Sequence, residues 1–226
     1  MPNLKDYRSH LLDDDWPPDW PSKTNVVFQN DVTLKQYHCF EALIEKKATE
    51  REIERCLRGN QEILSLTVGL FLTGTHASWI FPKEQIGLPS GPGGGLIPDY
   101  LLAGANSEGV KWFVLELKGA DKRAFRKSGK HVSLSSDANR GICQLLSYID
   151  LSSRVQAHLR DSSKLTGFRE PRGIVLIGTE DESEDPDVRE FKQAWNRINS
   201  TVQIRSHSSL LRHVEQKLRD LKKFPN

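Results

Sequence analysis

The stretch "IPDYLLAGANSEGVKWFVLELKGADKR" (residues 97–123) contains two apolar runs joined by a polar turn. The runs are IPDYLLAG (97–104) and KWFVLELKG (111–119), with the polar letters NSEG between them. Two apolar runs separated by such a turn predict a β-hairpin. The second run ends with two charges, Glu116 and Lys118, which a strand buried only for packing would not need.

Strand periodicity places the two charges on one side of the second run. Successive side chains of a strand point to opposite faces. One face is purely apolar and must belong to the core, whereas the other changes from apolar to charged along the strand. Glu116 and Lys118 lie on this second face, with Cα atoms about 7 Å apart, so their side chains can reach a common object. The apolar face contains Phe113, Leu115 and Leu117. The face that becomes charged contains Trp112, Val114, Glu116 and Lys118.

A third charged residue, Asp99, precedes Glu116 in the first run of the predicted hairpin. If the runs pair, Asp99 lies beside Glu116, and two adjacent carboxylates repel each other unless a cation separates them. Mg²⁺ favours carboxylates, water and phosphate oxygens. Such a centre suits phosphodiester hydrolysis, in which Lys118 would orient the attacking water or neutralise charge on phosphorus. The plainer alternative is that Glu116 and Lys118 form a surface ion pair of little energetic weight.

The rest of the chain predicts alternating helices and strands. Thr49 and Glu52 form an S/T-x-x-E capping box, which predicts that a second helix opens there. The pattern predicts an α/β fold with a mixed β-sheet flanked by helices. The predicted helices are 32–48, 49–59, 138–151, one from Asp185-Pro186 and one capped by Ser208, and the predicted strands outside the hairpin are 64–74, 77–87, 172–179 and 202–206.

Residues 120–137 are polar and basic without periodicity, which predicts a mobile loop. A loop of this charge either grips phosphate groups without reading bases or is a solvated surface segment. Surface loops of this charge are common, which favours a solvated segment. The proximity in sequence to Lys118 favours phosphate binding to the same degree. The basic residues concerned are Lys122, Arg123, Arg126, Lys127 and Lys130.

Two neighbouring features receive a structural interpretation. GPGGG (91–95) is interpreted as a flexible turn because it lacks the GK[ST] of a P-loop. Glu84 could add a metal contact, but we favour a surface position for it.

Residues 1–30 are interpreted as an extended arm whose Trp16 and Trp20 pack on the main domain or on a second subunit.

Composition limits the classes of protein. The 226-residue chain has a formal net charge of +2, so any nucleic-acid surface must be local. No apolar run approaches the roughly 18 residues of a membrane span, and no apolar signal region opens the chain. The three cysteines form no CxxC pair, which argues against a zinc site and fits a reducing cytoplasm.

The series IPDYLL…WFVLELKG…QLLSYI resembles the PD-(D/E)-x-K nuclease superfamily, and more narrowly the nuclease domain of the Shedu anti-phage defence proteins. TEREIERCLRGNQEIL is similar to the opening helix of that domain, RGIVLIG to its later core strand, and VQIRSHSSLL to its closing strand and helix. The resemblance covers about residues 49–221. It divides the chain into an N-terminal arm and helix (1–48) and a nuclease domain (49–226).

The resemblance implies a restriction-endonuclease-like core and a Mg²⁺- or Mn²⁺-dependent DNA endonuclease, often a homo-oligomer, acting in bacterial immunity. It makes Asp99 and Glu116 metal ligands, Lys118 the catalytic lysine and Gln144 the glutamine of the site. The resemblance also implies that the opening helix supplies another acidic residue to the site. Glu50 is slightly favoured, because it shares the apolar stripe of that helix; Glu52 and Glu54 are the alternatives.

Two other classes of function remain open. The runner-up is a non-catalytic module that holds nucleic acid through the basic loop. A third is an interaction protein whose N-terminal arm drives oligomerisation.

Overall fold

A computed structural model describes residues 16–75, 77–87, 95–180 and 185–224 of the chain. Two short 3-10 turns, Lys23–Asn25 and Gln29–Asp31, precede the first long helix. The helices are α1 (Leu34–Glu45), α2 (Glu50–Gly59), α3 (Gln61–Gly69), α4 (Ser136–Arg154), α5 (Gln156–Asp161), α6 (Pro186–Ile198) and α7 (His207–Asp220). The strands are β1 (Val26–Val27), β2 (Ala77–Pro82), β3 (Tyr100–Asn106), β4 (Gly109–Leu117), β5 (Phe125–Ser128), β6 (His131–Leu134), β7 (Arg172–Leu176) and β8 (Val202–Arg205).

Six strands form one mixed sheet in the order β1-β2-β3-β4-β7-β8. β1 to β4 pair antiparallel, whereas β4, β7 and β8 run parallel. The remaining strands, β5 and β6, form a separate two-stranded sheet. Helices cover both faces of the large sheet, which confirms the predicted α/β class with a mixed sheet.

The predicted central hairpin is present as β3 and β4. Its register pairs Leu102 with Phe113 and Asn106 with Gly109. Gly109 has a φ of 96°, a left-handed conformation that glycine adopts without steric cost, so it can close the tight turn.

The two faces of β4 enter two different hydrophobic clusters, as the alternation predicted. Phe113, Leu115 and Leu117 pack with residues of α1, α2, α3 and α7. Trp112 and Val114 pack on the opposite side with residues of α4, α5 and α6. Because α1 shares its cluster with α2 and α7, it packs within the main body; the domain boundary after residue 48 stays a prediction.

The segment 64–74, predicted as a strand, instead contributes to helix α3. The prediction was wrong because every residue from Ile63 to Val68 is buried. A helix buried on all sides has no polar face, so its sequence loses the 3.6-residue alternation and is hard to distinguish from a buried strand.

Residues 120–137 are not a loop throughout, because β5 and β6 form a hairpin within them. Its turn contains Gly129 with a φ of 59°. Phe125 is buried, and its ring lies 5.5 Å from that of Phe191 in α6. The burial pattern of β5 has only this one buried position, so the sequence carried too little apolar alternation to indicate strands.

The last helix begins two residues earlier than predicted. Ser206, not Ser208, is its N-cap, and its hydroxyl accepts a hydrogen bond from the backbone N–H of Ser209 at 3.1 Å. The Ser208 hydroxyl accepts instead from the backbone N–H of Glu180 at 3.0 Å. Helix α4, strand β7 and helix α6 occur where they were predicted.

The described part of the N-terminal arm packs on the sheet of its own chain. The rings of Trp16 and Trp20 lie 6.0 and 5.3 Å from that of Trp79 in edge-on arrangements. The indole N–H of Trp79 donates to the carbonyl of Ser22 at 3.1 Å. These contacts agree with the first of the two packing interpretations for the arm, whereas residues 1–15 lie outside the described ranges.

A side chain of α6 covers the outermost strand, β8. The amide of Asn196 donates to the carbonyl of Ile204 at 3.0 Å and accepts from its backbone N–H at 2.9 Å. Edge strands expose backbone groups that can pair with another chain. Here the outward groups of Ile204 are satisfied internally.

Candidate active site

The register of three adjacent strands brings charged residues into one row. The ladder of β2 with β3 ends at the pair Pro82 and Tyr100, and the ladder of β3 with β4 ends at the pair Tyr100 and Leu115. The next residue of each strand continues the row in the order Lys83, Asp99 and Glu116. The predicted pairing that brings Asp99 to Glu116 is therefore present.

Both carboxylate oxygens of Asp99 accept hydrogen bonds. Oδ1 lies 2.5 Å from the ammonium of Lys83, and Oδ2 accepts from the backbone N–H of Leu117 at 2.8 Å. The backbone N–H of Lys83 also donates to the Asp99 carbonyl at 3.1 Å. Asp99 is thus fixed by the two strands that flank it.

Glu116 and Lys118 form a buried ion pair at the end of β4. The Lys118 ammonium lies 2.8 Å from Glu116 Oε1, and the two side chains are 11% and 5% exposed. The second carboxylate oxygen, Oε2, is buried and has no hydrogen-bond partner among the described residues. Burial raises the pKa of Glu116 to about 7, and the charge of Asp99 adds to this shift while Lys118 opposes it.

Helix α4 approaches this carboxyl group closely because it has a glycine there. A Cβ at Gly141 would lie 3.2 Å from Val175 Cγ1 and 3.7 Å from Glu116 Cγ. The first contact would require Val175 to shift by a few tenths of an ångström, whereas the second would be an ordinary van der Waals contact. The glycine therefore lets the helix close one side of the site.

A turn between α1 and α2 brings Glu50 to the same place. The backbone N–H of Ala120, just after β4, donates to the carbonyl of Ala48 at 2.8 Å. Glu50 Oε2 lies 3.8 Å from the Lys118 ammonium. Burial raises the pKa of Glu50, with Lys118 opposing this shift and Asp99 adding to it.

The other two acids of α2 have different partners. The Glu52 carboxylate accepts from the backbone N–H of Thr49 at 2.9 Å, as the predicted capping box requires. Glu54 accepts from Arg58 at 2.7 Å and lies 3.5 Å from the ammonium of Lys83. Of the three candidates, Glu50 is the acid that an ion pair links to Lys118.

Gln144 lies on α4, one turn before Tyr148, whose pKa is affected by the charges of Glu116 and Asp99. Its Oε1 is buried without a hydrogen-bond partner within the described part of the chain. Burial raises the pKa of Tyr148 to about 12, with further contributions from the charges of Glu116 and Asp99 and an opposing one from its hydrogen bond with Gln144. The place of Gln144 in the site stays a prediction.

Two residues that contact the site were missed in the sequence. Lys83 was overlooked because the end of β2 could not be aligned with Asp99 before the register was known. The neighbouring Glu84 is half-buried, and burial raises its pKa. His207 belongs to no recognisable histidine spacing, so nothing in the sequence distinguishes it from the other histidines.

His207 fixes the backbone that carries Lys118. Its Nε2 lies 2.7 Å from the Lys118 carbonyl, and the residue is fully buried. Burial lowers its pKa to about 4, while the hydrogen bond to Lys118 opposes that shift. The ring is therefore neutral at physiological pH, and Nε2–H donates to the carbonyl.

Oxygen donors in the site suit a hard divalent cation, although they are not arranged around one. No group of three His, Cys, Asp or Glu side chains within the described ranges is spaced to hold a metal. Lysine ammonium groups contact Asp99 and Glu116 instead. The buried Glu116 Oε2 and Gln144 Oε1, both without hydrogen-bond partners, are oxygen donors of the kind that Mg²⁺ or Mn²⁺ prefers.

The predicted basic residues lie on or beside the β5–β6 hairpin, and several of them are paired. Lys127 contacts Asp185 and Asp187 at 2.8 and 2.7 Å. Among the described residues, no ion pair involves Arg123 or Lys130, and both are exposed. Lys122 pairs with Asp121, and Arg126 contacts Ser136. A cavity of about 260 Å³ lies beside the hairpin, with Lys47, Lys122, Arg123 and Lys127 in its lining.

The fold and the site together define an α/β protein with an acid–lysine centre at the end of a mixed sheet. A family model described as the C-terminal part of the Shedu protein SduA matches residues 47–211. The chain therefore belongs to the Shedu family of anti-phage defence proteins, and the matched range includes the whole acid–lysine centre. No curated protein matches the chain. No helix formed by the described residues is long and apolar enough to cross a membrane.

Proposed function

We propose that this chain is a metal-dependent DNA endonuclease of the PD-(D/E)-x-K type, with a restriction-endonuclease-like core, acting in anti-phage defence. One observation carries the proposal. Glu116 is buried between Asp99 and Lys118, its pKa is raised to about 7, and its Oε2 has no partner within the described residues. A carboxylate held in this way is characteristic of functional sites rather than of ion pairs that serve stability.

Asp99 and Glu116 are the proposed metal ligands, with Glu50 as the additional acid. Mg²⁺ or Mn²⁺, when bound, polarises a phosphoryl oxygen and lowers the pKa of a coordinated water. Carboxylates that repel one another bind such an ion favourably because the ion removes their repulsion. Gln144 offers a neutral oxygen from α4 at the border of the same site.

Lys118 is the proposed catalytic lysine. Its ammonium is nearly buried, so a positive charge there acts through little water and stabilises negative charge that develops on the phosphoryl group. His207 acts as a positioning residue, since it holds the Lys118 carbonyl.

Arg123 and Lys130 are the best placed of the basic residues to contact DNA phosphates. Contacts of this kind fix the nucleic acid without reading its sequence. The proposal also includes action in the cytoplasm and assembly into a homo-oligomer, as the resemblance to Shedu nuclease domains implies.

The decisive experiment compares DNA cleavage by the wild type and by Lys118→Met, with Mg²⁺ and with EDTA, on linear and circular DNA. We expect the wild type to cut only with Mg²⁺ and the variant to cut at least about 100-fold more slowly. Lys111→Met, in the distant turn end of β4, is the matched control and should cut normally. Circular dichroism verifies the fold, and undiminished cutting by a folded Lys118→Met would refute the assignment.

A non-catalytic nucleic-acid-binding module is the second candidate. It is favoured by the lysine ammonium groups that contact Asp99 and Glu116, which leave no ready metal cage among the described residues. Such a module would bind DNA in a salt-sensitive manner and would cut neither linear nor circular DNA with either metal.

A further inference from the structure

Lys83 is the one residue of the charged row that the proposed chemistry does not use. Its ammonium lies 2.5 Å from Asp99 Oδ1 and 3.5 Å from Glu54 Oε1. The Lys83 side chain is 43% exposed, whereas that of Asp99 is 15% exposed. The ion pair therefore lies at the mouth of the site, with its carboxylate directed inward and its cation accessible to water.

The backbone at Lys83 is held in an unfavourable conformation. Its φ of 52° lies in the left-handed region, which is sterically unfavourable for a residue with a side chain. The ladder hydrogen bond from its N–H to the Asp99 carbonyl fixes it opposite that residue. Lys47, Lys164 and Lys222 have similar φ values, so the contacts of Lys83 with Asp99 and Glu54, rather than its backbone conformation, distinguish it.

We propose that Lys83 is the resident counter-ion of the site, whose ammonium must leave Asp99 before a divalent metal ion can bind there. The inference rests on the proposed function, because it assigns to Asp99 the role of a metal ligand.

The hydrogen bonds of Asp99 are the basis of this inference. Its two oxygens accept from the Lys83 ammonium and from the Leu117 backbone N–H. A Mg²⁺ ion bound about 2.1 Å from an Asp99 oxygen would lie close to the Lys83 ammonium, and the two cations would repel each other. The Leu117 N–H belongs to the rigid sheet, so the flexible ammonium is the group that must move.

A second partner is ready for the displaced ammonium. Glu54 Oε1 is within 3.5 Å of it and is shared with Arg58, which lies 2.7 Å away. Moving from Asp99 to Glu54 keeps the Lys83 charge paired while it frees Oδ1. Metal affinity is then set by competition between the ion and a side chain of the protein itself.

The test measures Mn²⁺ binding without DNA, by electron paramagnetic resonance of the free ion. Lys83→Met removes the competing charge, and we expect it to bind Mn²⁺ about tenfold more tightly than the wild type. Lys83→Arg keeps the charge and should bind within about threefold of the wild type. Lys111→Met, whose side chain has a similar exposure of 45%, should bind as the wild type does.

The outcomes separate this inference from the proposed function. If the wild type binds Mn²⁺ and Lys83→Met binds it equally or more weakly, the counter-ion role is overturned and the metal site survives. If neither protein binds Mn²⁺, both proposals fail together.

A measurement on the wild type avoids any effect of substitution on folding. Acetylation of lysines by acetic anhydride, followed by mass spectrometry, reports how freely each ammonium reacts. Mg²⁺ should raise the acetylation rate of Lys83 severalfold relative to that of Lys111. An unchanged ratio at Mg²⁺ concentrations that saturate the site would contradict the displacement of Lys83.

Discussion

Gly119 controls whether Glu50 can reach Lys118. A Cβ at this position would lie 2.0 Å from Asp121 Oδ1 and 2.9 Å from the backbone nitrogen of Glu50. The second contact is the more serious one, because a backbone atom at the start of a helix cannot move aside as a side chain can. The turn after β4 packs against the start of α2 and therefore requires a residue without a side chain.

Gly119→Ala should lower the free energy of unfolding by about 1–3 kcal/mol and slow cleavage, since the start of α2 must move away from the site. Gly59→Ala, at the last residue of α2, is the matched control. A Cβ there would meet nothing within 4 Å, so stability should hold or rise slightly. Urea unfolding and the cleavage assay measure both effects, and equal behaviour of the two variants would contradict the role of Gly119.

At this scale the sequence predicted the residues of one hairpin and missed those that reach it from elsewhere. Asp99, Glu116 and Lys118 follow from strand alternation within 20 residues, where local rules suffice. Lys83 and His207 depend on the register of β2 and on the docking of α7. Both depend on tertiary packing, which local sequence patterns do not indicate.

At the scale of secondary structure elements, the β5–β6 hairpin determines which basic residues can bind DNA. Pairing with Asp185 and Asp187 neutralises Lys127, whereas Arg123 has no ion pair within the described part of the chain. Two residues of the same sign and in the same segment should therefore contribute unequally.

Arg123→Gln should weaken binding to any DNA sequence and reduce the slope of log affinity against log salt by about 1. Lys127→Gln should change that slope much less, because its charge is already neutralised by two carboxylates. Fluorescence anisotropy with labelled DNA at several salt concentrations measures both slopes. A larger loss of slope for Lys127→Gln than for Arg123→Gln would show that the pairs with α6 do not persist in solution.

The two errors in predicting elements have opposite physical origins. Helix α3 was taken for a strand because tertiary burial on all sides removed the polar face that marks a helix. The β5–β6 hairpin was taken for a loop because this small two-stranded sheet fully buries only Phe125 and leaves Val132 and Leu134 of β6 partly buried. Too much burial and too little burial both erase periodicity.

At the scale of the whole molecule, His207 links three parts of the fold. It is the first residue of α7, its backbone N–H donates to Gly178 after β7, and its ring donates to Lys118 after β4. A group that joins the ends of two parallel strands to a helix affects global stability, and this group can titrate.

The contribution of His207 to stability should therefore fall in mildly acidic solution, whereas that of Glu116 should rise, because its raised pKa makes the folded state bind the proton more readily. His207 has a pKa of about 4 in the folded protein and about 6.5 when unfolded, so the unfolded chain binds the proton more readily. The contribution is complete above pH 6.5 and is lost as the pH falls toward 4. Between pH 7.5 and 5.0 the loss should be about 2 kcal/mol.

Urea unfolding of the wild type and of His207→Gln at these two pH values tests this prediction. The variant lacks the titrating group, so its stability relative to that of the wild type should rise by about 2 kcal/mol between pH 7.5 and pH 5.0. His131→Gln, at an exposed position on β6, should keep the full dependence. The same pH dependence in all three proteins would mean that His207 does not control it.

The contact of the Asn196 side chain, on α6, with β8 bears on how copies of this chain can meet. The Asn196 amide occupies the outward backbone groups of Ile204 within a strand of four residues. A second copy cannot extend the sheet there without first displacing that amide. If α6 detached, the edge strand β8 would be exposed. Exposed edge strands pair with other chains and cause aggregation at high protein concentration. The Asn196 amide thus protects this edge of the sheet and serves the solubility of the protein.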